Sequence, residues 1–179
     1  MINGLSKDDI LTKYENLDVL FKEAIEIVYG KEQSKLITIY KMDNIEEDII
    51  KSHCGKKEDK YKAICKLKDR TGVYVFRKDN EIMYIGVGGT GKEWGLIGRI
   101  KAEVREYSNK NSNATLSKNI QDIDCLLENI KISSNDSKEK IKTFSLLVLD
   151  LGDITEDNQN NSKALEMVLI SLLRPKYNR

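Results

Sequence analysis

Two tripeptides, Gly72-Val73-Tyr74 and Tyr84-Ile85-Gly86, flank the polar segment Lys78-Asp79-Asn80. The runs that hold them, residues 72–77 and 81–87, are rich in β-branched and aromatic residues, so the spacing predicts a hairpin. Its loop decides which side chains share a face. With Lys78-Asp79-Asn80 as a three-residue loop and Asn80 left-handed, Arg77 pairs with Glu81 and Tyr74 lies opposite Tyr84. Tyr74, Phe76, Ile82 and Tyr84 then share one face, while Val73, Val75, Met83 and Ile85 form a core face. A four-residue loop puts the two tyrosines on opposite faces.

Around the hairpin, helical and strand-like segments alternate. Ser6 and Asp9 resemble a capping box. Beyond them Ile10, Tyr14, Leu17, Phe21, Ala24 and Val28 recur at helical spacing, and Gly30 is placed as a C-cap. Residues 36–40 read as a short strand, and Asn44 as the cap of a brief helix to about Ile50. Residues 51–60 form a polar linker, and 61–67 are ambiguous. Residues 96–107 and 116–130 predict helices, the second with Ile120, Ile123, Leu127 and Ile130 as its stripe. Residues 133–140 and 153–161 read as loops. Residues 143–149 are apolar enough for a buried central strand. Ser162 opens a helix striped by Leu165, Val168, Leu169 and Leu172, with Pro175 beyond its end. The expected fold is α/β (α+β): a small, mainly antiparallel three-stranded sheet flanked by helices. Residues 71–179 form that domain, and residues 1–70 a mostly helical N-terminal extension.

Charge is unevenly distributed. The chain carries a net +1, yet residues 1–50 carry −5, residues 51–110 carry +7 and residues 111–179 carry −1. Positive charge in and before the hairpin suits a phosphate backbone, whereas the acidic first segment does not. No apolar run reaches membrane-span length, and the N-terminus lacks the basic-then-apolar layout of a secretory signal, so a cytoplasmic protein is expected. Cys54, Cys65 and Cys125 are an odd number at no metal-like spacing and read as reduced thiols. His53, Cys54 and Cys65 make a partial zinc set with no fourth ligand evident.

The segment after the second strand carries two nucleotide-binding patterns. Gly86-Val87-Gly88-Gly89-Thr90-Gly91 fits G-x-G-x-x-G, and Gly86 to Lys92 fits G-x-x-x-x-G-K, with Asp150 closing a Walker-B-like run. Glu93 stands where a Ser or Thr should hold Mg²⁺, and Trp94, Gly95 and Gly98 delay the helix that should receive phosphate. Too few βα units follow for a doubly wound sheet. A P-loop nucleotide hydrolase therefore ranks a distant third among functions.

The ordered set Tyr74, Tyr84, Arg99, Glu166 and Asn178, together with the two tripeptides, resembles the GIY-YIG nuclease family over residues 71–179. That resemblance implies a metal-dependent endonuclease hydrolysing DNA phosphodiester bonds, with RNA left open. It implies that Glu166 binds Mg²⁺ or Mn²⁺, a hard cation that one carboxylate plus waters and substrate oxygens can hold. Arg99 would donate to the scissile phosphate, Tyr74 act as general base, Tyr84 orient the water or phosphate, and Asn178 serve as a positioning group. Gly72 and Gly86 would let backbones approach closely, and Lys92 offers a further phosphate contact. A free tyrosine titrates near about 10, so Tyr74 must be ionised by nearby positive charge or pass its proton onward. Many members carry a His four residues after the Arg; here that position is Glu103, and His53 is the chain's one histidine. The expected setting is restriction or mobile-element defence, with a homodimer or protein partner engaged through the N-terminal extension. The alternative is a non-catalytic nucleic-acid-binding module on the same fold.

Overall fold

The computed structural model of the chain describes residues 17–35, 37–54, 56–57, 62–79, 81–89, 95–105 and 113–178. Its elements are α1 (Leu17–Tyr29), α2 (Lys31–Ser34), β1 (Thr38–Met42), a π-helical turn (Glu46–Ile50) and a 3-10 turn (Ala63–Leu67). Then follow β2 (Arg70–Lys78), β3 (Glu81–Gly88), α3 (Gly95–Glu103), α4 (Thr115–Glu128), α5 (Ser134–Lys142), β4 (Ser145–Asp153) and α6 (Glu156–Leu173). The expected capping box at Ser6 and Asp9 lies outside the described residues, as do Leu36, Asn80 and Lys92.

The fold is mixed α and β, with one antiparallel sheet in the order β1-β4-β2-β3. Its four strands exceed the expected three because Thr38 to Met42, from the region read as an extension, pairs with Asp150 to Leu146. β4 can sit centrally because it is apolar on both sides. Leu146 and Val148 enter one core, Leu147, Leu149 and Leu151 the other. α1 and α6 cover the second core through Phe21, Ala24, Leu165, Leu169 and Leu173. α3, α4 and α5 cover the first through Leu96, Ile100, Leu116, Ile120 and Ile141. Among the described residues no helix is long and apolar enough to cross a membrane.

The hairpin reaches the expected shared face by a different route. Lys78 pairs with Glu81 around a two-residue turn, with Asp79 at φ +52°, and the register shifts between Phe76 and Arg77. That bulge places Phe76 opposite Tyr84 and Tyr74 opposite Gly86. Without it, a two-residue turn would send the tyrosines to opposite faces. Its effect on the neighbours is equally clear: Met83 joins the tyrosine-side core, and Ile82 joins Val73, Val75 and Ile85.

Three further expectations are corrected. Residues 134–140 are helical rather than loop, because the N-cap Ser133 Oγ accepts from the Asp136 N–H at 3.1 Å and the Asp136 carboxylate accepts from the Ser133 N–H at 3.1 Å. α6 starts at Glu156, capped by Thr155, so residues 156–161 are helix whose polar side chains mostly face solvent. In α4, Ile120 is buried and Ile123 packs half-buried against the same core, but Leu127 and Ile130 are exposed, and Asn129 ends the helix at φ +54°.

Cys54 and Cys65 are joined in a disulfide, with their Cα atoms 5.1 Å apart, and Cys125 is free and exposed. The reading of three reduced thiols is thereby corrected, and the bridged sulfurs cannot also serve as thiolate ligands beside His53. Sequence spacing alone gave no sign that the segment after the π-helical turn would meet the 3-10 turn and bring the two cysteines together.

Candidate active site

A cleft of about 600 Å³ opens at the β3 side of the sheet. Tyr74, Tyr84, Gly86, Arg99 and Glu166 all line it. Five residues separated by up to 92 positions thus meet in one place: three from the hairpin, one helix arginine and one helix glutamate. Two of the other expected residues, Gly72 and Asn178, stand elsewhere. Gly72 lies in β2, where an added Cβ would meet the Leu149 carbonyl and, at 3.2 Å, Leu96 Cδ2. Asn178 lies on the outer edge of β3, and Lys92 lies outside the described residues.

Glu103 is the centre of the polar network. It is fully buried, and its Oε1 accepts from the Tyr74 hydroxyl at 2.8 Å and, more weakly, from Tyr84 at 3.4 Å. Oε2 accepts from the Leu116 N–H at 2.7 Å, and Arg99 Nη2 sits 2.6 Å from Oε1. A buried carboxylate is costly unless paired and hydrogen-bonded, and here it is both. Burial pushes the Glu103 carboxyl above its ordinary value, against the opposing pull of Arg99 and of the Leu116 N–H.

Burial, and then the Glu103 charge, push both tyrosines above their ordinary value, Tyr74 most of all. A resting phenolate at Tyr74 is therefore disfavoured. Arg99 would be lowered by burial, but Tyr74, Glu103 and Tyr84 together hold it above its usual value. Its fork is fixed by the Asn113 carbonyl at 2.8 Å and Thr115 Oγ1 at 3.1 Å. A guanidinium carries five N–H donors, more than these acceptors and Glu103 occupy.

Glu166 reaches the cleft from α6 on the other side of the sheet. α6 is fastened to the sheet at two points. Gln159 Nε2 donates to the Gly89 carbonyl at 2.9 Å, and the Ser162 hydroxyl lies 3.2 Å from Thr71 Oγ1. The Glu166 carboxylate is half-buried, and burial raises it while the Val87 N–H and Arg99 pull it down. Among the described residues no group of three or more His, Cys, Asp or Glu could hold a metal. A single half-buried carboxylate facing a polar cleft fits a hard cation that keeps several waters.

β3 is an edge strand, and side chains from the chain's end cover it. Asn178 Oδ1 accepts from the Ile85 N–H at 2.8 Å and its Nδ2 donates to the Ile85 carbonyl at 2.7 Å, as a neighbouring strand would. The Tyr177 N–H donates to the Met83 carbonyl at 2.8 Å, at the bulge itself. Asn178 thus orients the strand that carries Tyr84 rather than lining the cleft.

The glycine-rich patterns are partly explained by this geometry. Gly86, Val87 and Gly88 belong to β3 in an antiparallel sheet, and Asp150 bonds Arg70 Nε at 2.9 Å and the Gly152 N–H at 3.1 Å. A Cβ at Gly86 would overlap the Tyr74 hydroxyl and lie 2.8 Å from its Cε2. Gly86 is there for the tyrosine.

Glu103, and Arg105, which also lines the cleft, were not expected as site residues. The signal for the first was present: Arg99 and Glu103 are opposite charges four apart on a predicted helix. No family model matches the chain, and no curated protein or solved structure was found to be similar.

Proposed function

We propose that the protein is a metal-dependent phosphodiesterase acting on nucleic acid, an endonuclease resembling the GIY-YIG family. The observation that carries this reading is the one cleft shared by Tyr74, Tyr84, Arg99 and Glu166, with Tyr74 bonded to a buried carboxylate. Phosphodiester hydrolysis needs a proton acceptor for water and a stabiliser of phosphoryl charge. In this reading the attacking water gives its proton to Tyr74 Oη as Tyr74 passes its own to Glu103 Oε1. The new P–O bond forms as the bond to the leaving oxygen breaks, and that oxygen takes a proton from solvent. Arg99 donates to the phosphoryl oxygens. Glu166 would hold Mg²⁺ or Mn²⁺, which when bound would neutralise developing phosphate charge.

Glu103 suits the role for the same reason that a His is dispensable there. Its raised carboxyl is a better proton acceptor than an ordinary one, and it already holds the Tyr74 proton's partner position at 2.8 Å. The test is cleavage of an end-labelled DNA duplex with Mg²⁺ or with chelator, beside Glu103→Gln. Metal-dependent product, reduced at least about 100-fold in the variant, supports the relay. Equal rates would remove Glu103 from the chemistry.

One observation favours a non-catalytic nucleic-acid-binding module on the same scaffold: Tyr74 has no exposed surface. That reading predicts salt-sensitive binding without cleavage, unchanged by Tyr74→Phe.

A further inference from the structure

Ala114 stands at the N-cap of α4, and its side chain makes no cap hydrogen bond. The first N–H groups of a helix have no partner inside it, so a Ser, Thr, Asp or Asn side chain commonly supplies one. Here the cap comes from α3. Glu103 Oε2 accepts from the Leu116 N–H at 2.7 Å, and the helix dipole favours a carboxylate at that end. The start of α4 and the Arg99–Glu103 pair are therefore one unit.

Three residues at that start hold the pair. Asn113 uses its carbonyl, which accepts from Arg99 Nη1 at 2.8 Å, and Leu116 uses its N–H. Thr115 uses its side chain: Oγ1 accepts from Arg99 Nη2 at 3.1 Å. The same Nη2 lies 2.6 Å from Glu103 Oε1. An Nη carries two hydrogens, so Thr115 and Glu103 occupy both, and turning the guanidinium costs one of these bonds. Arg99 and Asn113 line the cleft, whereas Thr115 does not and is half-buried. Two of the three contacts are backbone groups that other residue types would also supply. The third depends on the hydroxyl of residue 115.

We propose that Thr115 is a positioning residue for phosphodiester cleavage, its hydroxyl fixing the Arg99 fork at the angle at which it meets the phosphoryl oxygens. The inference rests on the phosphodiesterase reading of the cleft and adds a residue that acts only through Arg99. Arginine recognises phosphate through a planar, directional fork, so its orientation matters as well as its charge. A misplacement of about 1 Å at a transition-state contact costs about 100-fold in rate.

The test is the initial rate of Mg²⁺-dependent cleavage of an end-labelled DNA duplex across substrate concentrations. Wild type is compared with Thr115→Val, Thr115→Ala and Thr115→Ser. Valine keeps the volume and removes the acceptor, alanine removes the acceptor with less bulk, and serine keeps the hydroxyl. In the valine and alanine variants kcat should fall about 10- to 100-fold with KM within about twofold of wild type. The serine variant should stay within about threefold of wild type, a rescue that loss of packing would not give. Wild-type kcat in the variants lacking the hydroxyl overturns the positioning role and leaves the cleft reading standing. So does a rise in KM at unchanged kcat, or a loss in the serine variant as large as in the other two. Wild type that cleaves no duplex with Mg²⁺ overturns both.

Discussion

The Tyr74 hydroxyl donates to Glu103 Oε1 at 2.8 Å, with both residues fully buried, in a network that also holds the partly exposed Arg99. Neither residue reaches bulk water, so the proton on Tyr74 has a defined exit. If cleavage requires Glu103 and Glu166 ionised, the rate rises with pH. Both carboxyls are raised by burial, so the acidic limb lies above the ordinary glutamate value of about 4.3. Stability carries the opposite sign. A folded-state carboxyl raised above its unfolded value adds stability below that value and loses it as pH rises through the folded one. Urea midpoints of wild type and Glu103→Gln should therefore favour wild type more at about pH 4 than at about pH 7. A margin that widens with pH would contradict the raised carboxyl.

Gly86 faces the Tyr74 ring across the hairpin, so Gly86→Ala is expected to cost about 1–3 kcal/mol by overpacking. A new Cβ would collide with the hydroxyl first, and would lie 2.8 Å from Cε2. Adding Tyr74→Phe should recover part of the loss, because it removes the closest atom. Thermal midpoints of the single and double variants decide this. Purely additive losses would show that the glycine and the tyrosine act independently.

Asp124 ties the chain's last residues to α4. It is fully buried and takes Lys140 Nζ at 2.6 Å, Lys176 Nζ at 3.2 Å and the Tyr177 hydroxyl at 3.1 Å. Burial would raise its carboxyl, but the Lys140 and Lys176 ammonium groups hold it below its ordinary value. Its contribution is present above the unfolded value of about 3.9 and is lost as pH falls through the lower folded one. Asp124→Asn is expected to destabilise by about 2 kcal/mol or more at neutral pH, and the gap should close in acid. Because this anchor sets Tyr177 and Asn178 against β3, the same variant should also slow cleavage. A neutral effect on stability would disprove the anchor.

Thiol titration reads the cysteine pairing directly. Unreduced protein in denaturant should show one reactive thiol, Cys125, and reduced protein all three. Closing a loop of 11-residue separation should contribute about 2–3 kcal/mol, lost on reduction. Three thiols without reductant would mean the bridge is not made.

Much of the fold was legible in the chain. The hairpin, β4 and α6 each carry a period or an apolar run that burial rewards, and all three formed, although in α6 Leu173 is buried and Val168 joins neither core. The elements misread are those whose sequence is polar: α5, with Ile141 as its one buried hydrophobic, and the first turns of α6. There a cap, not a stripe, starts the helix. Tyr74 and Tyr84 share a face as expected, yet through a bulge at Met83 that no local pattern announces. Within the site, the pairwise spacing of Arg99 and Glu103 was visible, but the closure of a tyrosine onto Glu103 depends on α3 packing over the sheet. The disulfide and the docking of Asn178 on Ile85 are likewise tertiary and leave no periodic trace.

The most direct measurement is incubation of supercoiled plasmid with wild type and with Glu166→Gln, each with Mg²⁺ and with chelator. The account predicts nicked or linear DNA from wild type with Mg²⁺ only, and intact plasmid from the variant. Cleavage by Glu166→Gln at the wild-type rate, or cleavage that persists in chelator, would contradict it.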